Sequence, residues 1–145
     1  MADNMEKVYD LDRFVKAQYE MYVFALSEIN EGKKRSHWMW YIFPQLKGLG
    51  TTHMSEYYGI LNADEAREYL KHPSLGANLA QICVSLLGLE TNDPRDIFGD
   101  VDAMKLRSSM TLFAHISTPG SIYHMVLDKF YSGNPDPLTL KLLGE

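Results

Sequence analysis

Residues 11–32, LDRFVKAQYEMYVFALSEINEG, decide the fold class. Leu11, Phe14, Val15, Gln18, Tyr22, Ala25, Leu26 and Ile29 recur at spacings of three and four. That is the period of an amphipathic helix, with Gln18 as the single polar interruption of the apolar stripe. Asp10 or Asp12 is placed to cap the start, and Gly32 suits the left-handed position after the end. The same punctuation recurs down the chain. Asn62-Ala63-Asp64-Glu65 has the form of a capping box, and its helix stops at His72-Pro73, where proline disfavours helical geometry in its predecessor. Ser74 is then expected to cap a helix whose Leu75, Leu79, Ile82, Cys83, Leu86 and Leu87 mark a central, buried element. Asp93-Pro94 opens a short turn that Gly99 ends, and Asp100 opens a helix running to about Ser117. Thr118-Pro119 begins another, closed by Gly133, and Asp136-Pro137 starts a last short helix ending near Gly144. Hairpin dipeptides are missing, so the sequence predicts an all-α, compact single-domain bundle of roughly six to eight helices without significant sheet.

Composition agrees with a packed core. The chain has 145 residues, 46% of them hydrophobic and 23% charged, which fits one domain over residues 1–145 with 1–9 as a flexible lead. Lys and Arg number 14 against 19 Asp and Glu, a formal charge of -5. That balance argues against nucleic acid as a partner, since phosphate neutralisation needs a basic face. Cys83 is the single cysteine, so an intramolecular disulfide is excluded. The five histidines show neither H-E-x-x-H nor ligand spacing, and neither a metal nor a cofactor is expected. No apolar run reaches the roughly 18 residues of a membrane span, and the polar, acidic N-terminus is not signal-like. The expected location is cytoplasmic.

Three segments carry polar groups where chemistry could be done. Ser36-His37-Trp38-Met39-Trp40-Tyr41-Ile42-Phe43-Pro44-Gln45 holds both tryptophans of the chain. With Ser36 as cap it reads as a buried helix ending near Pro44. A compatible reading makes His37, Trp40 and Gln45 the wall of a ligand pocket at one end. Residues 46–55 contain Gly48, Gly50, Thr51, Thr52 and Ser55, whose hydroxyls and nearby amides could meet an anion. This stretch is neither a dinucleotide fingerprint nor a P-loop, and a turn with a helix cap is the reading its residues favour. Asp102, Lys105 and Ser109 form a polar stripe on an otherwise apolar helix. An Asp102–Lys105 surface pair explains two of them at about 0.2–0.5 kcal/mol. A stripe facing an internal cleft instead makes Lys105 an anion clamp with Ser108 or Ser109 orienting. The run Lys33-Lys34-Arg35 reads first as a solvated loop, and its position just before the aromatic segment would help to attract such an anion.

These blocks together resemble the DUF1810 family of bacterial and fungal proteins. The resemblance is carried by residues 36–45 with Gly48-Leu49-Gly50, by Tyr69-Leu70 and His72-Pro73, and by Phe98-Gly99 with Asp102. It continues through Lys105-Leu106, Ser108-Ser109-Met110-Thr111-Leu112-Phe113 and Leu127-Asp128-Lys129-Phe130-Tyr131, from about Leu11 to Leu143. Thr51 and Thr52 stand where the family favours serine, which keeps the hydroxyl. The resemblance implies a compact all-α domain of the kind seen in a mycobacterial hypothetical protein, and it brings no established activity or catalytic residue. The calpastatin-like label given to some members does not fit, because such an inhibitor is largely disordered and this chain is built to bury a core.

Two functions compete. One is a pocket for an anionic or nucleotide-like small molecule, with or without catalysis, built from His37, Trp40, Gln45, Ser55, Lys105 and Ser109. There His37 is the candidate general acid or base, and Lys105 the anion clamp. The other is a non-catalytic interaction domain that grips a protein partner with residues 37–45.

Overall fold

The computed structural model describes residues 9–144 and contains eight helices, with no strand among these residues. Residues 1–8 of the expected N-terminal lead lie outside the described residues. Helix α1 (Asp12–Asn30) buries Phe14, Gln18, Ala25, Glu28 and Ile29. Its first residues lack the expected aspartate cap: Leu11 stands at the cap position with no side-chain bond, and its N–H turns back to the Tyr9 carbonyl. Gly32 does take the left-handed conformation (φ 82°) after the helix.

The aromatic segment departs most from expectation. Instead of a helix over residues 37–44, it forms the single turn α2 (Met39–Ile42), with Trp38 at its cap in non-helical geometry. Ser36 is drawn off into a bond with Glu28 and cannot cap. After Pro44 the chain makes one parallel bridge, Leu46 to Ile60, around the five-residue α3 (His53–Tyr57).

Asn62 caps α4 (Ala63–Lys71) as the capping-box pattern requires, accepting from the Glu65 N–H at 2.9 Å. The cap of α5 (Pro73–Leu87) is His72 rather than Ser74: its Nδ1 accepts from the Ser74 and Leu75 N–H groups. Proline at the first helical position moved the cap two residues upstream, from Ser74 to His72. Gly76 lets α4 and α5 meet closely, because a Cβ there would collide with the Leu70 carbonyl. Helix α5 is central, packing on α1, α4 and α7 (Ile122–Tyr131). Cys83 lies fully buried on it beside Met110; burial raises the thiol pKa, so the group is an inert packing element.

Asp93 caps α6 (Pro94–His115), and Gly99, at φ 78° and ψ 176°, breaks its helical geometry into the short turn and long helix expected. Thr118-Pro119-Gly120 is a turn and not a helix start; Ser121 caps α7 instead. Asp136 caps α8 (Pro137–Leu142), and its carboxylate also ties Ser108 and Thr139 together. No helix of the described residues is long and apolar enough to cross a membrane.

Gln18 shows why a polar residue interrupts the α1 stripe. Its amide donates to the Tyr41 carbonyl and the Tyr69 hydroxyl and accepts from Asn78. One buried side chain thus joins α1, α2, α4 and α5, with every polar partner satisfied.

Candidate functional site

The charged cluster on the N-terminal half of α6 begins with Glu28, on the far side of the loop. This buried carboxylate accepts from the Arg35 N–H (2.7 Å), the Ser36 N–H (3.0 Å), the Ser36 hydroxyl (2.6 Å) and the Trp38 indole (2.9 Å). Burial alone would push its pKa up, but these four donors outweigh it and hold the carboxyl at about 2. Residues 35–38 are therefore fixed against α1. The preceding residue, Lys34, donates its backbone N–H to the Ile97 carbonyl, so the loop is also fastened to α6.

This double attachment lays the Lys34 side chain across α6. Its ammonium lies 2.9 Å from one oxygen of Asp102, and the Lys105 ammonium lies 3.3 Å from the other. Each cation also stands over an indole: Lys105 is 4.0 Å from the Trp40 ring centroid and Lys34 is 5.1 Å from that of Trp38. The result is a line of Trp38, Lys34, Asp102, Lys105 and Trp40. Lys34, Asp102 and Lys105 have side-chain exposures of only 10%, 18% and 22%, so water screens the charges weakly. Trp38 is fully buried, whereas Trp40 is half-buried.

Ser109 follows Lys105 by one turn and shares its stripe on α6. Its side chain is fully buried, and its hydroxyl has no hydrogen-bond partner among the described residues. An unsatisfied buried hydroxyl costs about 1–3 kcal/mol, so Ser109 is the one fully buried polar group on the stripe left without a partner among the described residues.

The six residues singled out in the sequence are thus distributed unevenly. Trp40 and Lys105 touch, and Ser109 lies on the same helical face. His37 is exposed in the loop that leads to Trp40 and makes no hydrogen bond among the described residues. Gln45 is half-buried, with its backbone carbonyl in the bridge to Ile60. Ser55 belongs to the start of α3, where its hydroxyl donates to the Thr52 carbonyl and Thr52 caps its N–H. Lys34, Asp102 and Glu28 complete the cluster. Lys34 and Asp102 stood in plain view as parts of a basic run and a polar stripe. Glu28 was signalled only by a carboxylate falling on the buried side of α1.

A second polar region occupies the other end of α1. Arg13 donates to the Tyr57 carbonyl (2.8 Å), the Gly59 carbonyl (3.0 Å), Glu65 (3.0 Å) and the Asp10 carbonyl. Glu65 accepts from the Leu61 N–H as well, at 2.7 Å. A shallow cavity of about 370 Å³ borders this knot, lined by Tyr9, Lys47, Glu56 and Tyr57 among others.

Helices wound round a central α5, with a tryptophan-backed charged face on α6, define a class of all-α domain rather than a known catalytic architecture. The chain belongs to the family described as Protein of unknown function (DUF1810), whose model matches residues 8–143. It is similar to the crystal structure of the conserved hypothetical protein Rv1873 from Mycobacterium tuberculosis, with a TM-score of 0.91 and 40% sequence identity. That match covers 94% of this chain and 98% of the mycobacterial one. A search of curated proteins finds no match.

Proposed function

We propose that the Trp40–Lys105 face of α6 binds a small molecule carrying an anionic group and a planar ring, as a nucleotide does. The observation that supports this reading is the pair of ammonium groups brought to one carboxylate beside a half-buried indole. Each ammonium has three N–H donors and Asp102 takes one from each, so donors remain for an incoming anion. Lys105 supplies the charge, Trp40 the flat surface, and Ser109 a hydroxyl in need of a partner. Gln45 is assigned the orienting amide. His37, exposed in the loop that leads to Trp40, is assigned any proton transfer, so the reading holds for a binding protein and for an enzyme alike.

The reading of residues 37–45 as a grip for a protein partner has little surface to use. Trp38, Met39, Tyr41, Ile42 and Phe43 are all buried in the core, which leaves His37, Trp40 and Gln45 at least partly accessible.

Both tryptophans sit in the cluster, so intrinsic fluorescence reports on it directly. Titration with adenosine mononucleotides is expected to give a saturable change in wild type that Lys105→Met abolishes. The variant should keep its helical circular dichroism and lose no more than about 1 kcal/mol of stability, because Asp102 keeps Lys34 as its partner when Lys105 is gone. A flat titration for every mononucleotide, or a Lys105→Met chain that unfolds, defeats the reading.

A further inference from the structure

The outward face of α1 carries large apolar side chains that the fold leaves in water. Tyr19, Val23 and Phe24 are 87%, 71% and 58% exposed, and they lie within two turns of one another at the middle of the helix. Lone surface hydrophobics are ordinary, but no other helix among the described residues exposes three. A cavity of about 250 Å³ runs along one flank of the group, with Tyr19 and Val23 lining it from α1 and Ser74 and Asn78 from α5. The face thus offers both a ridge and a recess, the relief by which one helix packs on another. Two charged residues bracket it. Asp12, seven residues before Tyr19, and Lys33, nine after Phe24, are both exposed, and neither joins an ion pair among the described residues. Their neighbours are committed elsewhere: Arg13 to Glu65, Lys34 to Asp102 and Arg35 to Glu31.

We propose that two copies of the chain associate through this face, their α1 helices antiparallel and Tyr19, Val23 and Phe24 at the centre of the interface. An apolar centre between two ends of opposite charge is complementary to itself under a two-fold axis. The rotation lays the apolar group of one copy on that of the other and brings the Asp12 of each to the Lys33 of its partner. A parallel pairing would set Asp12 against Asp12 and Lys33 against Lys33. Lys16 and Glu20 share the exposed face, and at four residues apart their opposite charges can meet along their own helix, so neither opposes closure. A helix of 19 residues is about 28 Å long, and one such pair covers less than the roughly 800 Å² per partner of a standard interface. The association is therefore weak and reversible. It uses none of the groups assigned to the ligand, so it stands or falls apart from the binding reading.

Sedimentation equilibrium on the full chain, from about 5 to 300 µM, tests this. Wild type is expected to move from the mass of one chain toward that of two. Val23→Glu sets like charges face to face across the axis and should weaken association at least about tenfold, the equivalent of 1.4 kcal/mol. Val23 is exposed, so the helical circular dichroism should not change. Asp12→Lys and Lys33→Glu should each weaken association about threefold, as an exposed pair does. The double variant should recover the wild-type affinity, because the exchanged charges meet again across the axis. Wild type that stays monomeric throughout overturns the proposal, and so does association that survives Val23→Glu. A double variant no tighter than the two single ones overturns the antiparallel arrangement. Should Val23→Glu not fold, Tyr19→Lys takes its place with the same expectation.

Discussion

Two ionic clusters sit at opposite ends of α1, and they differ in what they leave unspent. At Arg13 each side-chain nitrogen donates to a fixed acceptor, the Asp10, Tyr57 and Gly59 carbonyls and Glu65 taking all of them up. A guanidinium is a rigid fork of five N–H donors, and four of them are engaged here. At Lys34 and Lys105 the cations are compact, rotatable point charges, and a single carboxylate serves both. Beside them lies the Ser109 hydroxyl, which has no partner among the described residues. The saturated cluster is what fastens the loop 57–61 to α1 and α4. The unsaturated one keeps donors in hand, and the binding reading proposed above rests on that difference.

Removing one member of the saturated cluster should have the largest effect. Arg13→Ala leaves Glu65, whose side chain is 1% exposed, as a buried charge without its cation. Breaking a buried pair from one side costs about 3–5 kcal/mol, measurable as a drop in the urea midpoint. Losing less from Arg13→Ala than from Lys105→Met would invert the comparison and make the α6 cluster the structural one.

Glu28 gives the next effect, and it depends on pH. Its folded pKa of about 2 lies below the ordinary 4.5, so its contribution is present above pH 4.5. It is lost as the pH falls from there through 2. The shift corresponds to about 3 kcal/mol at neutral pH. Glu28→Gln should therefore destabilise the protein at pH 7, and the gap to wild type should close substantially by pH 3. Denaturation at the two pH values checks this. A gap that stays constant would mean that the loop 35–38 is held by packing alone, and that the placement of Lys34 does not depend on the carboxylate.

The helices themselves were largely legible in the sequence, for a local reason. Caps at Asn62, Asp93 and Asp136 and the glycine at 32 act on residues within a turn of them, and those are the boundaries the structure has. The errors also have local causes: Pro73 shifted a cap to His72, and Ser121 overrode Thr118. Residues 36–44 were misread as a longer helix because Glu28 competes for Ser36 and Trp38 from eight and ten residues away. Of the site, the sequence gives the α6 stripe of Asp102, Lys105 and Ser109, since helical spacing is local too. It does not show that Lys34 crosses to Asp102, 68 positions further on, or that Ser55 is engaged by its own loop. Such contacts follow from packing, which no spacing rule encodes.

Ser109 offers the smallest and most discriminating effect. Replacing it with alanine removes an unpaired buried hydroxyl and keeps the rest of the side chain, so no large cavity forms. The relief of desolvation, together with alanine's better helix propensity, should raise stability by about 1 kcal/mol. Chemical denaturation of Ser109→Ala reads this directly. A gain there sharpens the contrast with the Arg13 knot, where each side-chain nitrogen already has a partner to lose. The same variant should bind mononucleotides less well, since the hydroxyl that folding leaves idle is the one a ligand would use; stability gained and affinity lost together mark a group retained for binding. A loss of stability instead would mean that the hydroxyl is already satisfied in solution, by water or by the Lys105 carbonyl one turn back. Ser109 would then belong with Gln18 and Arg13 among the residues that hold the fold, and the α6 site would rest on its two lysines and Trp40.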